Sequence, residues 1–206
     1  MQLIGMLDSP YVRRVAISLR LLGVPFEHRS LSVFSTFEQF SQINPVVKAP
    51  TLVTEDGVVL MDSTLILQWV EPLASRRLTP VDTTERLRDL RVTGLALAVC
   101  EKVVQIVYEQ QLRPSEKQHQ PWLDRVDRQL HAAYEALEAE VLSAGLVADV
   151  ALLTHGSIAA AVAWSFTQLV LPGRLVPTAS PSLARFAEAA EKLDVFRACP
   201  QVSVAN

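Results

Sequence analysis

Cysteine is scarce in this sequence: Cys100 and Cys199 are the only two in 206 residues, far apart and in no CxxC pair. The four histidines, His28, His119, His131 and His155, stand at no metal-binding interval either. Both absences argue for a reduced protein without structural zinc, and no metal site is expected. Basic tracts are also missing. Nineteen Lys and Arg face 22 Asp and Glu, for a net charge of −3, and Arg13-Arg14 and Arg76-Arg77 are isolated pairs that read as ordinary surface charge. A nucleic-acid partner is therefore not expected. No internal repeat or low-complexity segment stands out. The opening MQLIGMLDSPYVRR lacks a basic start followed by an apolar core, so it reads as a first strand and not as a leader, and a cytoplasmic protein is the expectation.

One stretch, residues 150–171, carries no charged side chain and is long enough to span a bilayer. Thr154, His155, Ser157, Ser165, Thr167 and Gln168 interrupt it, and Gly156 and Pro172 limit the helix within it. It reads as a buried core helix, and no membrane partner is expected.

What the sequence does have is apolar mass. Half of its residues are hydrophobic and its mean hydropathy is +0.23, enough for one large domain or two small ones. Residues 2–7 form a plausible buried strand. Ser9-Pro10 then combines a preferred helix cap with a preferred first helical residue. Val12, Val15, Ala16, Leu19 and Leu22 follow at helical spacing, with Arg13, Arg14 and Arg20 on the other face and Gly23 at the end. Residues 25–31 read as a second strand, parallel to the first through a right-handed crossover. Phe34, Phe37 and Phe40 mark a loop and short helix as core or cleft wall.

Residues 44–67, NPVVKAPTLVTEDGVVLMDSTLIL, organise this half. Pro50 stands where a strand should begin, Asp56-Gly57 reads as a tight hairpin turn between strands at 51–54 and 58–61, and Asp62-Ser63 looks like a helix cap. A cis Ala49-Pro50 bond would turn the Ala49 backbone towards a ligand, and the next helix would offer N–H groups to an anion. Leu65, Ile66, Trp69, Val70 and Leu73 are the expected apolar face of that helix, which runs to about residue 74.

Beyond a linker at 77–81 the pattern is helical throughout: 83–112, 122–144, 154–170 and 180–190, with a possible turn at 195–198. Ser180-Pro181 repeats the capping arrangement of Ser9-Pro10.

Ser9-Pro10-Tyr11-Val12, Lys48-Ala49-Pro50, Asp56-Gly57 and Asp62-Ser63, in this order and ahead of an all-helical half, resemble a bacterial cytosolic glutathione S-transferase with a Ser-type active site. The resemblance implies an α/β plus all-α fold: a thioredoxin-like domain at 1–76, arranged βαβ-α-ββα, and an all-helical domain at 82–206 that forms the electrophile site. It implies that glutathione is bound by Ala49, ahead of the family's cis-proline Pro50, and by Asp62 and Ser63 at the γ-glutamyl end. Lys48 is a candidate for the glycyl end. Ser9 falls on the catalytic position, and a homodimer is implied.

The physics of these residues agrees. A free thiol has a pKa of about 8.5, so a hydroxyl donor and a helix N-terminus aimed at the sulfur would both favour thiolate. Ser9 would stabilise that thiolate for attack on a small hydrophobic electrophile, as in detoxification. It is no base, because its own proton is too tightly held. As plain helix caps, Ser9 and Asp62-Ser63 have a second, structural reading, and Tyr11 reads as a packing residue beside a possible thiolate donor. Val99, Val103, Val107, Tyr108 and Trp164 are apolar candidates for either core or electrophile site.

Two departures from the family stand out. Ser9-Pro10-Tyr11-Val12 is a glutaredoxin-type Cys-Pro-Tyr-Cys without its thiols, which removes mixed-disulfide chemistry at position 9. Thr154-His155-Gly156-Ser157 carries Ser where the family's capping motif has Asp, at the expense of a favourable charge at the helix start. Two other functions remain open: a non-catalytic transferase-like binding protein, and a glutathione-dependent isomerase or lyase.

Overall fold

A computed structural model describes residues 1–201. The chain divides into two compact units, one of Met1–Leu78 together with the residues from Leu193, the other of Thr79–Lys192.

The first unit is built on a four-stranded sheet in the order β2-β1-β3-β4. The strands are short: β1 Gln2–Ile4, β2 Glu27–Arg29, β3 Thr51–Val53 and β4 Val59–Leu60. β1 pairs parallel with β2, Leu3 opposite His28, and antiparallel with β3, Leu3 opposite Leu52. The helix α1, Pro10–Leu21, makes the crossover between β1 and β2, a five-residue α2, Phe37–Ser41, precedes β3, and α3, Ser63–Val70, follows β4. This is the expected thioredoxin-like βαβ-α-ββα order. The hairpin is looser than a two-residue turn. The Thr54 N–H donates to the Val58 carbonyl and its hydroxyl accepts from the Val58 N–H, so three residues close the loop and Gly57 takes the left-handed conformation at φ 80°.

Burial departs from the helical pattern in three places. Arg13 and Arg14, read as surface charge, are 1 % and 3 % exposed. The side of α1 that should have met water is covered by α3 and by a C-terminal helix, α8 at Asp194–Arg197, whose Phe196 lies under the Arg13 guanidinium at 5.7 Å. Arg13 Nε also donates to the Cys199 carbonyl at 2.8 Å. A guanidinium tolerates burial when a π face and carbonyls replace its water. Of the three phenylalanines only Phe40 is core, with Phe34 and Phe37 exposed. On α3 it is Ile66, Leu67 and Val70 that point inward. Leu65, Trp69 and Leu73, assigned to the apolar face, are 54, 39 and 59 % exposed and form a separate stripe at four-residue spacing.

The second unit is helical: α4 Thr83–Val107, α5 Gln120–Ala144, α6 His155–Val170 and α7 Pro181–Glu191. The helical half is expected over 82–206; the helical unit ends at Lys192, and α8, which packs on α1, groups with the first unit. α4 ends in a wider π turn at Tyr108–Leu112, and Gly145 ends α5 in the left-handed conformation. No helix among the described residues is long and apolar enough to cross a membrane.

The substituted cap of α6 is sound. The Thr154 hydroxyl accepts from the Ser157 N–H and the Ser157 hydroxyl accepts from the Thr154 N–H, a complete capping box. The carboxylate that position 157 lacks comes from α4. Asp89, 8 % exposed, accepts the Gly156 N–H at 2.8 Å through Oδ1. A Cβ at Gly156 would lie 2.5 Å from that oxygen and 2.7 Å from the Asp89 carbonyl, so only glycine lets the helix start come so close.

The cap of α7 differs from the Ser9-Pro10 analogy. Ser180 makes no side-chain capping bond. Glu138 of α5 takes its place, accepting from the Ser182 and Leu183 N–H groups at 2.8 Å each, one per carboxylate oxygen. A reaching carboxylate serves two orphan donors where a serine serves one.

Candidate functional site

α1 is the scaffold to which most of the sequence-derived candidates attach. Ser9 is its N-cap: the backbone is extended at φ −67° and ψ 124°, and the hydroxyl accepts the Val12 N–H at 3.5 Å. Among the described residues the Ser9 hydroxyl donates to nothing, so its proton remains for a ligand at the positive end of a twelve-residue helix. Beside it, burial pushes the Asp8 carboxyl above its ordinary pKa, against the pull of the Ser9 and Asp8 N–H groups.

Three residues further on, Val12 of α1 faces the bend ahead of β3 across Gly5. The Ala49–Pro50 peptide is cis, as is Met61–Asp62. Gly5, at φ +134°, lets the chain leaving β1 pass between Val12 and Ala49: a Cβ there would lie 2.6 Å from Val12 Cγ2 and 3.2 Å from Ala49 Cβ. Among the described residues the Ala49 backbone N–H and C=O take no hydrogen-bond partner. The bend is held by side chains that the sequence did not single out. Buried Asn44 donates to the Thr51 hydroxyl at 2.8 Å, which donates to the Lys48 carbonyl at 2.7 Å, and Asn44 Oδ1 accepts from the Val46 N–H at 3.1 Å. Between them Val47 sits at φ 51°, a left-handed conformation costing a β-branched residue about 1–3 kcal/mol, which such a clamp must offset. The Lys48 side chain is exposed.

At the start of α3, Asp62 is the N-cap, with Oδ1 accepting from Thr64 N–H at 2.8 Å and from Leu65 N–H at 3.4 Å. Its structural role is therefore real, and the second carboxylate oxygen stays outside that cap. Ser63, 2 % exposed, accepts from Arg14 Nη1 at 3.1 Å, and the same nitrogen reaches the Thr64 hydroxyl at 3.3 Å. Neither the Ser63 N–H nor its hydroxyl proton has an acceptor among the described residues. The first unit thus holds Ser9, Ala49 and Ser63, each with a donor that has no acceptor among the described residues.

The chain as a whole is similar to known proteins. Residues 3–77 match the family model "Glutathione S-transferase, N-terminal domain". The chain is 30 % identical over 189 residues to the GST-like protein YibF of Escherichia coli K12, covering 91 % of this chain and 92 % of that one. The chain belongs to the glutathione S-transferase family. A glutathione S-transferase of Methylobacterium radiotolerans, solved with glutathione sulfonate, shares 28 % identity at a TM-score of 0.87, over 100 % of this chain and 97 % of the other. A glutathione transferase family member of Pseudomonas fluorescens Pf-5, solved with bound glutathione, shares 27 % at a TM-score of 0.84, over 98 % of each.

In this glutathione S-transferase the helical candidates separate clearly. Val99, Val103 and Trp164 are core. Tyr108, at the π turn that ends α4, is exposed, and partial burial raises its phenol pKa. Next to it Glu109 is buried, accepting from the His119 N–H at 2.9 Å and pairing with Arg113 at 3.0 Å, which ties the end of α4 to the start of α5. Among the described residues no group of three or more His, Cys, Asp or Glu could hold a metal ion.

Proposed function

We propose that this protein binds glutathione along its first unit and activates the thiol at Ser9 for attack on a small hydrophobic electrophile, the chemistry of detoxification. The observation that carries the reading is Ser9, whose hydroxyl accepts from Val12 and keeps its proton for the sulfur. Its position at the positive end of α1 adds to the same effect, because both favour the anion over the thiol. Each remaining part of the tripeptide has a counterpart. Ala49 offers N–H and C=O to the cysteinyl backbone, in the manner of an added strand. The Ser63 N–H and hydroxyl suit the γ-glutamyl carboxylate, the second Asp62 oxygen suits its ammonium, and Lys48 suits the glycyl carboxylate. Glutathione and its sulfonate in the two solved relatives support the same ligand here.

Ser9 holds the anion that glutathione itself supplies, so the thiol proton leaves to solvent and no enzyme–glutathione disulfide forms. The partner is a second copy of this chain, one subunit's first unit against the other's helical unit. Each unit has exposed apolar residues suited to this: Leu65, Trp69 and Leu73 on one, Leu87 and Leu90 of α4 on the other.

Calorimetric titration with glutathione and a pH profile of conjugation to a chlorinated nitrobenzene test the reading. Ser9→Ala should keep glutathione affinity within about threefold and lose about tenfold to a hundredfold in turnover at neutral pH, with the rising limb moved to higher pH. Absence of binding at millimolar glutathione would sink the proposal. So would a Ser9→Ala enzyme of unchanged pH profile.

A further inference from the structure

We infer that Arg14 is a positioning residue for the glutathione site: its buried guanidinium turns the Ser63 and Thr64 hydroxyls into donors for the γ-glutamyl carboxylate. The inference rests on the glutathione reading above and deepens it.

The start of α3 is, by itself, a poor place for a second anion. Its N-cap is Asp62, a carboxylate that already takes the Thr64 and Leu65 N–H groups and answers the helix dipole. A ligand carboxylate there meets one remaining backbone donor, that of Ser63, beside a like charge. Arg14 reverses this balance. It is 3 % exposed, it is on α1 and not on α3, and one nitrogen reaches both hydroxyls, Ser63 at 3.1 Å and Thr64 at 3.3 Å.

A hydroxyl has one proton. When its lone pair faces a guanidinium, the proton is left for an acceptor on the other side, and polarisation by the cation strengthens that donation. Ser63, itself buried, is held in this sense and donates to no acceptor among the described residues. Arginine suits the task better than lysine. It keeps its charge when buried, and its planar fork serves more than one acceptor at once. Arg14 therefore acts through Ser63 and Thr64, supplying the positive charge that the acidic cap removes.

The test compares two ligands on the full-length protein by calorimetry: glutathione, and glutathione amidated at the γ-glutamyl α-carboxylate. The wild type should prefer the carboxylate by about tenfold or more, and Arg14→Met should cut that preference about fivefold. Arg14→Lys should recover part of it. Glutathione blocked as the glycyl ester serves as control, because its penalty should be the same in wild type and Arg14→Met. A general loosening of the fold would lower all three affinities together and leave the ratios unmoved.

A folded Arg14→Met with the wild-type carboxylate-to-amide ratio overturns the inference. If Arg14→Met does not fold, Thr64→Val, at an exposed position, decides it: a preference reduced about twofold or more supports the relay, and an unchanged one overturns it. Wild type that binds neither ligand removes the glutathione reading itself, and this inference with it.

Discussion

Replacing Asp89 with alanine removes a carboxylate from α4 and damages the start of a different helix. In the native protein Asp89 Oδ1 receives the Gly156 N–H at 2.8 Å, with the aspartate 8 % exposed. A hydrogen bond to a charged group contributes about 1.5–3 kcal/mol, and stranding a buried N–H costs about 1–3 kcal/mol. The two figures describe one event from either side and do not add, so the expected loss is about 2–3 kcal/mol. Asp89→Asn keeps an acceptor of the same shape and loses only the charge at the helix start, for about 1 kcal/mol. In a chain of this size about 2–4 °C of melting temperature accompanies each kcal/mol, so alanine should lower the midpoint by about 4–12 °C and asparagine by about 2–4 °C. Gly156→Ala should be at least as damaging, and combining it with Asp89→Ala should not restore stability. The clash with Oδ1 would be relieved, but the one with the Asp89 carbonyl, at 2.7 Å, would remain. Thermal and urea denaturation read all four. An Asp89→Ala protein within about 0.5 kcal/mol of wild type would refute the cross-helix cap, because ordinary surface substitutions stay within that margin.

A similar logic applies to α7. Glu138→Ala should cost about 1–2 kcal/mol, with faster amide exchange over residues 181–191, whereas Ser180→Ala should cost about 0.5 kcal/mol or less because its hydroxyl caps nothing. Equal losses at the two positions would contradict this. On α3, Trp69→Glu should convert a particle of about twice the 22.7 kDa chain mass into one of single mass on a sizing column with light scattering. A wild type of single mass, or a Trp69→Glu protein of unchanged double mass, would remove that stripe from the interface.

Much of the first unit was legible in the sequence because its signals are local. Ser9-Pro10 fixes the start of α1, Pro50 precedes the β3 strand, and Asp62 caps α3, each through chemistry confined to a few residues. What the sequence withheld is non-local. Periodicity tells which side of α1 is apolar, but not what covers the polar side. Arg13 and Arg14 are buried because residues almost 190 positions later return over the one, and α3 lies over the other. Leu65, Trp69 and Leu73 fall on an apolar helical row that a monomer does not bury. Asn44 and Thr51 show no motif at all, and only the folded bend makes them partners. The α6 and α7 caps follow the same rule: Asp89 and Glu138 each cap a helix more than forty residues away, and no local pattern marks either.

The candidate site divides along the same line, and α1 shows why. Ser9 and Arg14 are five residues apart on that helix, about 7.5 Å of rise. Two extended residues of a ligand span about 7 Å, so a peptide with its sulfur at Ser9 could place a carboxylate near the hydroxyls that Arg14 holds. The proposed reactive end is an N-cap, which the sequence displays openly. The recognition end is set by a buried cation reaching across to another helix, which it does not display. Ser9 and Arg14 belong to one helix, and the hydroxyls of Ser63 and Thr64 on α3 are tied to it by the Arg14 guanidinium. On the proposed glutathione reading, recognition of the carboxylate would fix where the sulfur sits, and binding energy gained at Ser63 would serve alignment at Ser9. That coupling also assigns the two arginines of α1 different work. Arg13 ties the helix to Phe196 and Cys199, while Arg14 ties it to the start of α3 through Ser63 and Thr64, the groups proposed to meet the ligand.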